Sequence, residues 1–145
     1  MYTIDASVHI NALNSTEDGS AASQACLQQL VQRHQPIISP ILLVVEVAAA
    51  TARALSDTEL AVEMAEALQG LPGQVWVPLD DELAVAAARL AAAARLRGAD
   101  AVYGAVAQRY GTTLVTRDQQ QLERLGPLMP VTTPEAVVTA LTDTP

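Results

Sequence analysis

The chain contains no lysine and no phenylalanine, and only one cysteine and one tryptophan. Each shortage excludes something. A lone cysteine, Cys26, permits no disulfide within the chain, so the fold must rest on packing, and a reducing cytoplasm is the expected compartment. Aromatics make up 3% of the residues, which points to closely packed helices of small side chains and away from stacked rings. Without lysine, all 8 basic residues are arginine, set against 16 acidic ones for a net charge of −8. An acidic surface opposes general attraction to phosphate, so any nucleic-acid binding must be local. No run of roughly 18 uncharged apolar residues is available to span a membrane. The opening "MYTIDAS" lacks the basic patch and apolar stretch of a secretory signal. His9 and His34 have no second metal-type ligand at useful spacing and are expected in packing or surface roles.

What is present suffices for one domain. The 145 residues are 50% hydrophobic, enough to bury a core without a structural metal. "MYTID", "PIIS", "QVWVPL", "TTLVT" and "PVTT" read as short strands. Between them lie helical stretches: one after Asp5, one from Ala21 to Arg33, "ILLVVEVAAATARAL", "DTELAVEMAEALQG", "DDELAVAAARLAAAARLRG" and "DAVYGAVAQRYG", with "PEAVVTAL" last. Asp57 opens one of them, and Glu59, Glu63 and Glu66 give it a solvated face. In "DDELAVAAARLAAAARLRG", Arg95 and Arg97 suit the last turn and Gly98 the stop, as the helix dipole favours. Trp76 and Val75 are expected in the core. Alternating strands and helices predict an α/β fold, a short parallel-stranded central sheet flanked by helices on both faces. The domain is expected over residues 1–141, with 142–145 as a frayed tail.

The carboxylates carry the chemistry. Asp5 ends the first strand and Asp118 follows the fourth, and ligands of open α/β sheets bind outside the carboxyl ends of the strands. Asp100, at the start of the helix leading into the fourth strand, belongs near the same edge. Glu46 interrupts "ILLVVEVAAA", beside a face formed by Ile41, Val45 and Ala48, where an ionised group is costly unless paired or metal-bound. Each acid alone has a plain role: Asp5, Asp100 and Asp118 suit helix N-caps, worth about 1 kcal/mol, and Glu46 suits a helix rim. Caps, however, do not require convergence on one edge. Four converging acids repel unless a cation neutralises them, and oxygen donors without Cys or His suit Mg²⁺ or Mn²⁺.

In this order the four acids resemble a PIN domain. "YTIDASVHINAL" carries Asp5 and the small polar Ser7, and "SPILLVVEVAAA" carries Glu46. "LRGADAVYGAVAQRYGTTLVTRD" carries Asp100, Thr116 and Asp118. The resemblance extends to the VapC-type toxins of toxin–antitoxin pairs. It implies a Mg²⁺- or Mn²⁺-dependent endoribonuclease, with Asp5 and Asp100 as direct ligands and Asp118 and Glu46 completing the site directly or through water. Ser7 and Thr116 would orient the carboxylates. It further implies an RNA substrate, a homodimer, and a small antitoxin that silences the site with an inserted basic side chain. Relatives often carry a further acid after the fourth, where "RDQQQL" has only Gln119, Gln120 and Gln121. Arg95, Arg97 and Arg117 neighbour Asp100 and Asp118 and are candidates for phosphate contact. Gly104, four residues beyond Asp100, is expected to serve helix packing.

Three other readings compete. A phosphoacceptor receiver domain needs a lysine near its acids, and a haloacid-dehalogenase-type phosphatase opens with two aspartates where "DAS" has one. A catalytically silent PIN-like interaction module is compatible with the apolar helices, although retention of all four acids argues for activity.

Overall fold

The computed structural model describes residues 1–143. Five strands, β1 (Tyr2–Ile4), β2 (Ile37–Pro40), β3 (Gln74–Val77), β4 (Thr113–Val115) and β5 (Val131–Thr132), form one sheet in the order β3-β2-β1-β4-β5. Every neighbouring pair is parallel, with Tyr2 opposite both Ile37 and Thr113, and Ile38 opposite Val75. The helices are α1 (Ala6–Leu13), α2 (Ser20–Gln32), α3 (Leu42–Leu55), α4 (Thr58–Gln69), α5 (Asp81–Ala94), α6 (Gly98–Tyr110), α7 (Gln119–Leu125) and α8 (Pro134–Thr142). Of the expected tail, Thr144 and Pro145 lie outside the described residues. No helix of the described residues is long and apolar enough to cross a membrane.

Strand side chains alternate between faces, and in the central strands β1, β2 and β4 both faces are buried. Ile37 and Val115 pack with Ile4, Val8, Cys26, Leu30 and Val137 on one side. Their chain neighbours Ile38 and Leu114 pack on the other, Ile38 with Val77, Leu83, Ala87 and Val102 and Leu114 with Leu43, Leu90, Tyr103 and Leu125. Two-sided burial explains why the strands read as short apolar runs without polar alternation. Gly104 meets the expectation of helix packing: a Cβ there would stand 2.7 Å from Leu90 Cδ2 and 3.3 Å from Leu125 Cδ1.

Three local expectations are corrected. Helix α5 ends at Ala94, with Arg95 itself in the left-handed conformation at φ 53°, and has no basic residue in its last turn. Gly98 is the first residue of α6 and Arg97 its N-cap, so neither serves the α5 terminus. In α3 the buried face is Leu43, Val47 and Thr51, while Ile41 and Val45 are exposed. The stretch is apolar on nearly every side, so spacing alone does not select the face. Val75 stands on the edge strand β3 and is 45% exposed, whereas Trp76 is half-buried and donates to the Gln69 carbonyl at 3.3 Å.

Candidate active site

Parallel strands deliver their C-terminal ends to one edge, and Asp5 emerges there directly from β1. It is 4% exposed, and its backbone N–H donates to the Val115 carbonyl at 2.9 Å. As the N-cap of α1 it accepts from the Ser7 N–H at 3.0 Å through Oδ2. The Thr116 hydroxyl donates to the same oxygen at 3.3 Å and accepts from the Asp118 N–H at 3.0 Å. Ser7 Oγ lies 3.4 Å from Thr116 Oγ1 and accepts from the Arg117 N–H at 3.1 Å. Ser7 and Thr116 therefore knit the ends of β1 and β4 together and hold one carboxylate in a single orientation.

Asp118 is also a cap: its Oδ1 accepts from the N–H groups of Gln120 at 2.7 Å and Gln121 at 3.1 Å. Asp100 is not. It is the third residue of α6, whose N-cap position holds Arg97 without a side-chain capping bond. Asp100 Oδ1 instead accepts from Gln121 Nε2 at 3.2 Å, and the same nitrogen donates to Asp5 Oδ1 at 3.1 Å. Two carboxylates from distant parts of the chain thus converge on one amide group. Burial pushes the Asp100 carboxyl above its ordinary range and the negative Asp5 and Asp118 push it further, while Arg97 and the Gln121 bond pull the other way.

Glu46 joins this field from α3. Half-buried, it accepts from the Tyr103 hydroxyl at 2.6 Å. Its carboxyl is raised first by burial, which the Tyr103 bond opposes, and then by Asp5 and Asp100. Tyr103 is fully buried, and burial together with Glu46 drives its phenol strongly upward, so it stays a neutral donor. Asp5 and Asp118 thus act on Asp100, and Asp5 and Asp100 on Glu46, although among the described residues no three His, Cys, Asp or Glu side chains are already drawn together at metal-ligand spacing. Oxygen donors fit a hard divalent cation. A pair of carboxylates that one amide nitrogen can reach is compatible with a single small ion.

The arginines divide. Arg97 lies close enough to favour ionised Asp100. Arg117 pairs with Glu135 at 2.8 Å, its guanidinium lying over Gly19, and lines an open groove of about 390 Å³ with Ser7, Asn11, Glu17 and Asp18. Arg95 caps α5, and its carbonyl accepts from Arg124. His9 is buried, and desolvation lowers its pKa to about 4, leaving a neutral ring. His34 is an exposed residue with φ 51°.

Two residues of this site escape a reading from the sequence. Tyr103 stands three residues after Asp100 and Gln121 three after Asp118, one helical turn in each case. That spacing puts each on the same helix face as its acid, but the carboxylate each one meets comes from elsewhere in the chain.

The PIN domain family profile matches residues 2–126. No curated protein sequence is significantly similar to the chain, but solved structures are. A FitAB complex bound to an IR36 DNA fragment superposes with a TM-score of 0.73 at 20% identity, over 93% of this chain and 96% of its own. VapBC2 of Rickettsia felis, bound to a DNA fragment from its promoter, gives 0.68 at 13% identity over 91% and 97%. DNA-bound VapBC of Salmonella typhimurium gives 0.68 at 14% identity over 92% and 97%.

Proposed function

The chain belongs to the PIN domain family, and from that premise we propose that it is a divalent-metal-dependent endoribonuclease, the toxin of a cytoplasmic toxin–antitoxin pair. The observation that carries this reading is the meeting of Asp5 and Asp100 on one amide, with Asp100 relieved of any capping duty. A helix needs no such partnership to start. A cation site does.

Asp5 and Asp100 would hold Mg²⁺ or Mn²⁺, with Asp118 and Glu46 completing the site directly or through water. Such an ion polarises a phosphoryl oxygen and supplies a hydroxide-like water at neutral pH. The chain's own part is positioning. Ser7 and Thr116 fix Asp5, the α7 cap fixes Asp118, and Tyr103 fixes Glu46. Arg97 is the arginine best placed to offset the acids where an RNA phosphate approaches, and Arg117, along the groove beside Ser7, is a second. Arg95, at the α5–α6 junction, is a third candidate for phosphate contact.

Support for protein partners comes from the surface around α1. An apolar groove of about 270 Å³ runs past Leu13, Leu27, Val47, Met64, Leu68 and Leu71. A small antitoxin could seat apolar side chains there, and an arginine it inserted among the acids would mimic the cation. Exposed Val45, at 62%, and Val62, at 48%, offer apolar area for a homodimer.

The test is cleavage of a mixed RNA pool with Mg²⁺ or Mn²⁺, beside a chelator control and Asp100→Asn. Native protein should cut, and both the chelator and the variant should abolish cutting. Equal activity of the variant would remove Asp100 from the machinery. An inert native protein would favour a silent interaction module.

A further inference from the structure

Gln121 is 1% exposed and spends its amide nitrogen on two carboxylates, Asp5 Oδ1 at 3.1 Å and Asp100 Oδ1 at 3.2 Å. Its own Oε1 is buried with no hydrogen-bond partner. A buried acceptor left unpaired is costly, and native interiors hold few of them. This one sits on the residue that joins two of the site's acids. Its backbone is pinned as well, since the Gln121 N–H donates to the Asp118 cap at 3.1 Å.

A carboxamide has two orientations related by a half turn about its terminal torsion. In the orientation observed, its NH₂ group quiets the repulsion between Asp5 and Asp100. The half turn would present Oε1 to the same point; it gives up the two Nε2 donations, whose place the cation's charge would take, and costs no bond of Oε1, which makes none. Two carboxylate oxygens and one amide oxygen would then face a common centre, a donor set suited to a hard divalent cation. We propose that Gln121 is a neutral oxygen ligand of the divalent-cation site, directly or through one water, and bridges the acids as a donor when no ion is bound. This rests on the reading of Asp5 and Asp100 as cation holders and adds a residue to it. It also gives a role to a position where the acid-based pattern of the sequence ends in glutamines.

A mere brace and a ligand respond oppositely to substitution. Mn²⁺ binding, followed by electron paramagnetic resonance of free Mn²⁺, is measured on the full chain for native protein, Gln121→Glu and Gln121→Leu. Gln121→Leu should weaken Mn²⁺ binding by at least about 10- to 100-fold, the loss already expected of a residue that only orients the acids, so the glutamate variant separates the roles. A ligand role predicts that Gln121→Glu, which cannot donate to Asp5 or Asp100, binds at least as tightly as native, and weaker binding by Gln121→Glu overturns it. A leucine variant that binds Mn²⁺ as well as native, or better because a competing donor is gone, overturns the proposal and leaves the Asp5–Asp100 site standing. Absence of Mn²⁺ binding by native protein overturns the cation site itself. Should Gln121→Leu fail to fold, the native chain still decides: the ¹⁵N side-chain amide signal missing from Gln121→Glu must shift on Mg²⁺ addition, and an unmoved signal refutes ligation.

Discussion

Replacing Asp100 by Asn should stabilise the ion-free protein while abolishing its response to metal. Asp100 caps nothing, so the start of α6 loses no bond. The amide oxygen of the introduced asparagine can still accept from Gln121 Nε2, which now reaches Asp100 at 3.2 Å. What disappears is the burial cost of the charge and its repulsion from Asp5 and Asp118, set against the lost attraction of Arg97. Partly exposed charge pairs carry about 0.2–1 kcal/mol each, so two repulsions relieved and one attraction lost net about 0.2–1 kcal/mol at pH 7. For a chain of this size that raises Tm by about 1–4 °C. The pH dependence has a definite sign. A carboxyl whose folded pKa is raised binds its proton more readily in the folded state, so its cost is present above that pKa and vanishes once both states are protonated. The advantage of Asn over Asp should therefore be full at pH 7 and close as pH falls through the raised range of Asp100. Thermal melts in chelator at pH 7 and pH 4 measure this. Added Mn²⁺ should reverse the ranking, since an ion at about 100 times its Kd stabilises native protein by about 2.7 kcal/mol and leaves the variant unmoved. An Asp100→Asn protein that melts lower than native in chelator at pH 7 would refute the reasoning and make Asp100 a structural residue.

Other substitutions separate packing from chemistry. Gly104→Ala forces a Cβ to within 2.7 Å of Leu90 Cδ2, and overpacking of this kind should cost about 1–3 kcal/mol in urea unfolding. Its Mn²⁺ affinity should stay native, and a matching loss of affinity would tie the α5–α6 contact to the site. Arg97→Ala should weaken RNA cleavage and make its logarithmic salt dependence shallower by about 1. An unchanged slope would take Arg97 off the phosphate path.

Much of the fold was legible in the sequence because its signals were local. Short apolar runs between helices lead to a parallel sheet covered on both faces, and the ends of β1 and β4 place Asp5 and Asp118 at one edge. The plain capping roles of these two also hold, so capping and site-building are not exclusive. Other features depended on contacts that spacing does not encode. In α3, apolar residues on nearly every side hid which face is buried. At the α5–α6 junction, Gly98 invited a helix stop, yet Arg95 took the left-handed position because α6 begins three residues later. Tyr103 and Gln121 were invisible as site residues for a related reason. A tyrosine in an apolar helix reads as core, and a glutamine in a polar run reads as surface, until tertiary packing aims each at a carboxylate.

The central claim is that Asp5 and Asp100 hold one divalent cation, and a crystal soaked in Mn²⁺ tests it most directly through its anomalous difference map. The account predicts a single peak at the C-terminal sheet edge, flanked by Asp5 and Asp100, that is lost in Asp100→Asn. A peak elsewhere, or none at a Mn²⁺ concentration that supports RNA cleavage, would contradict it.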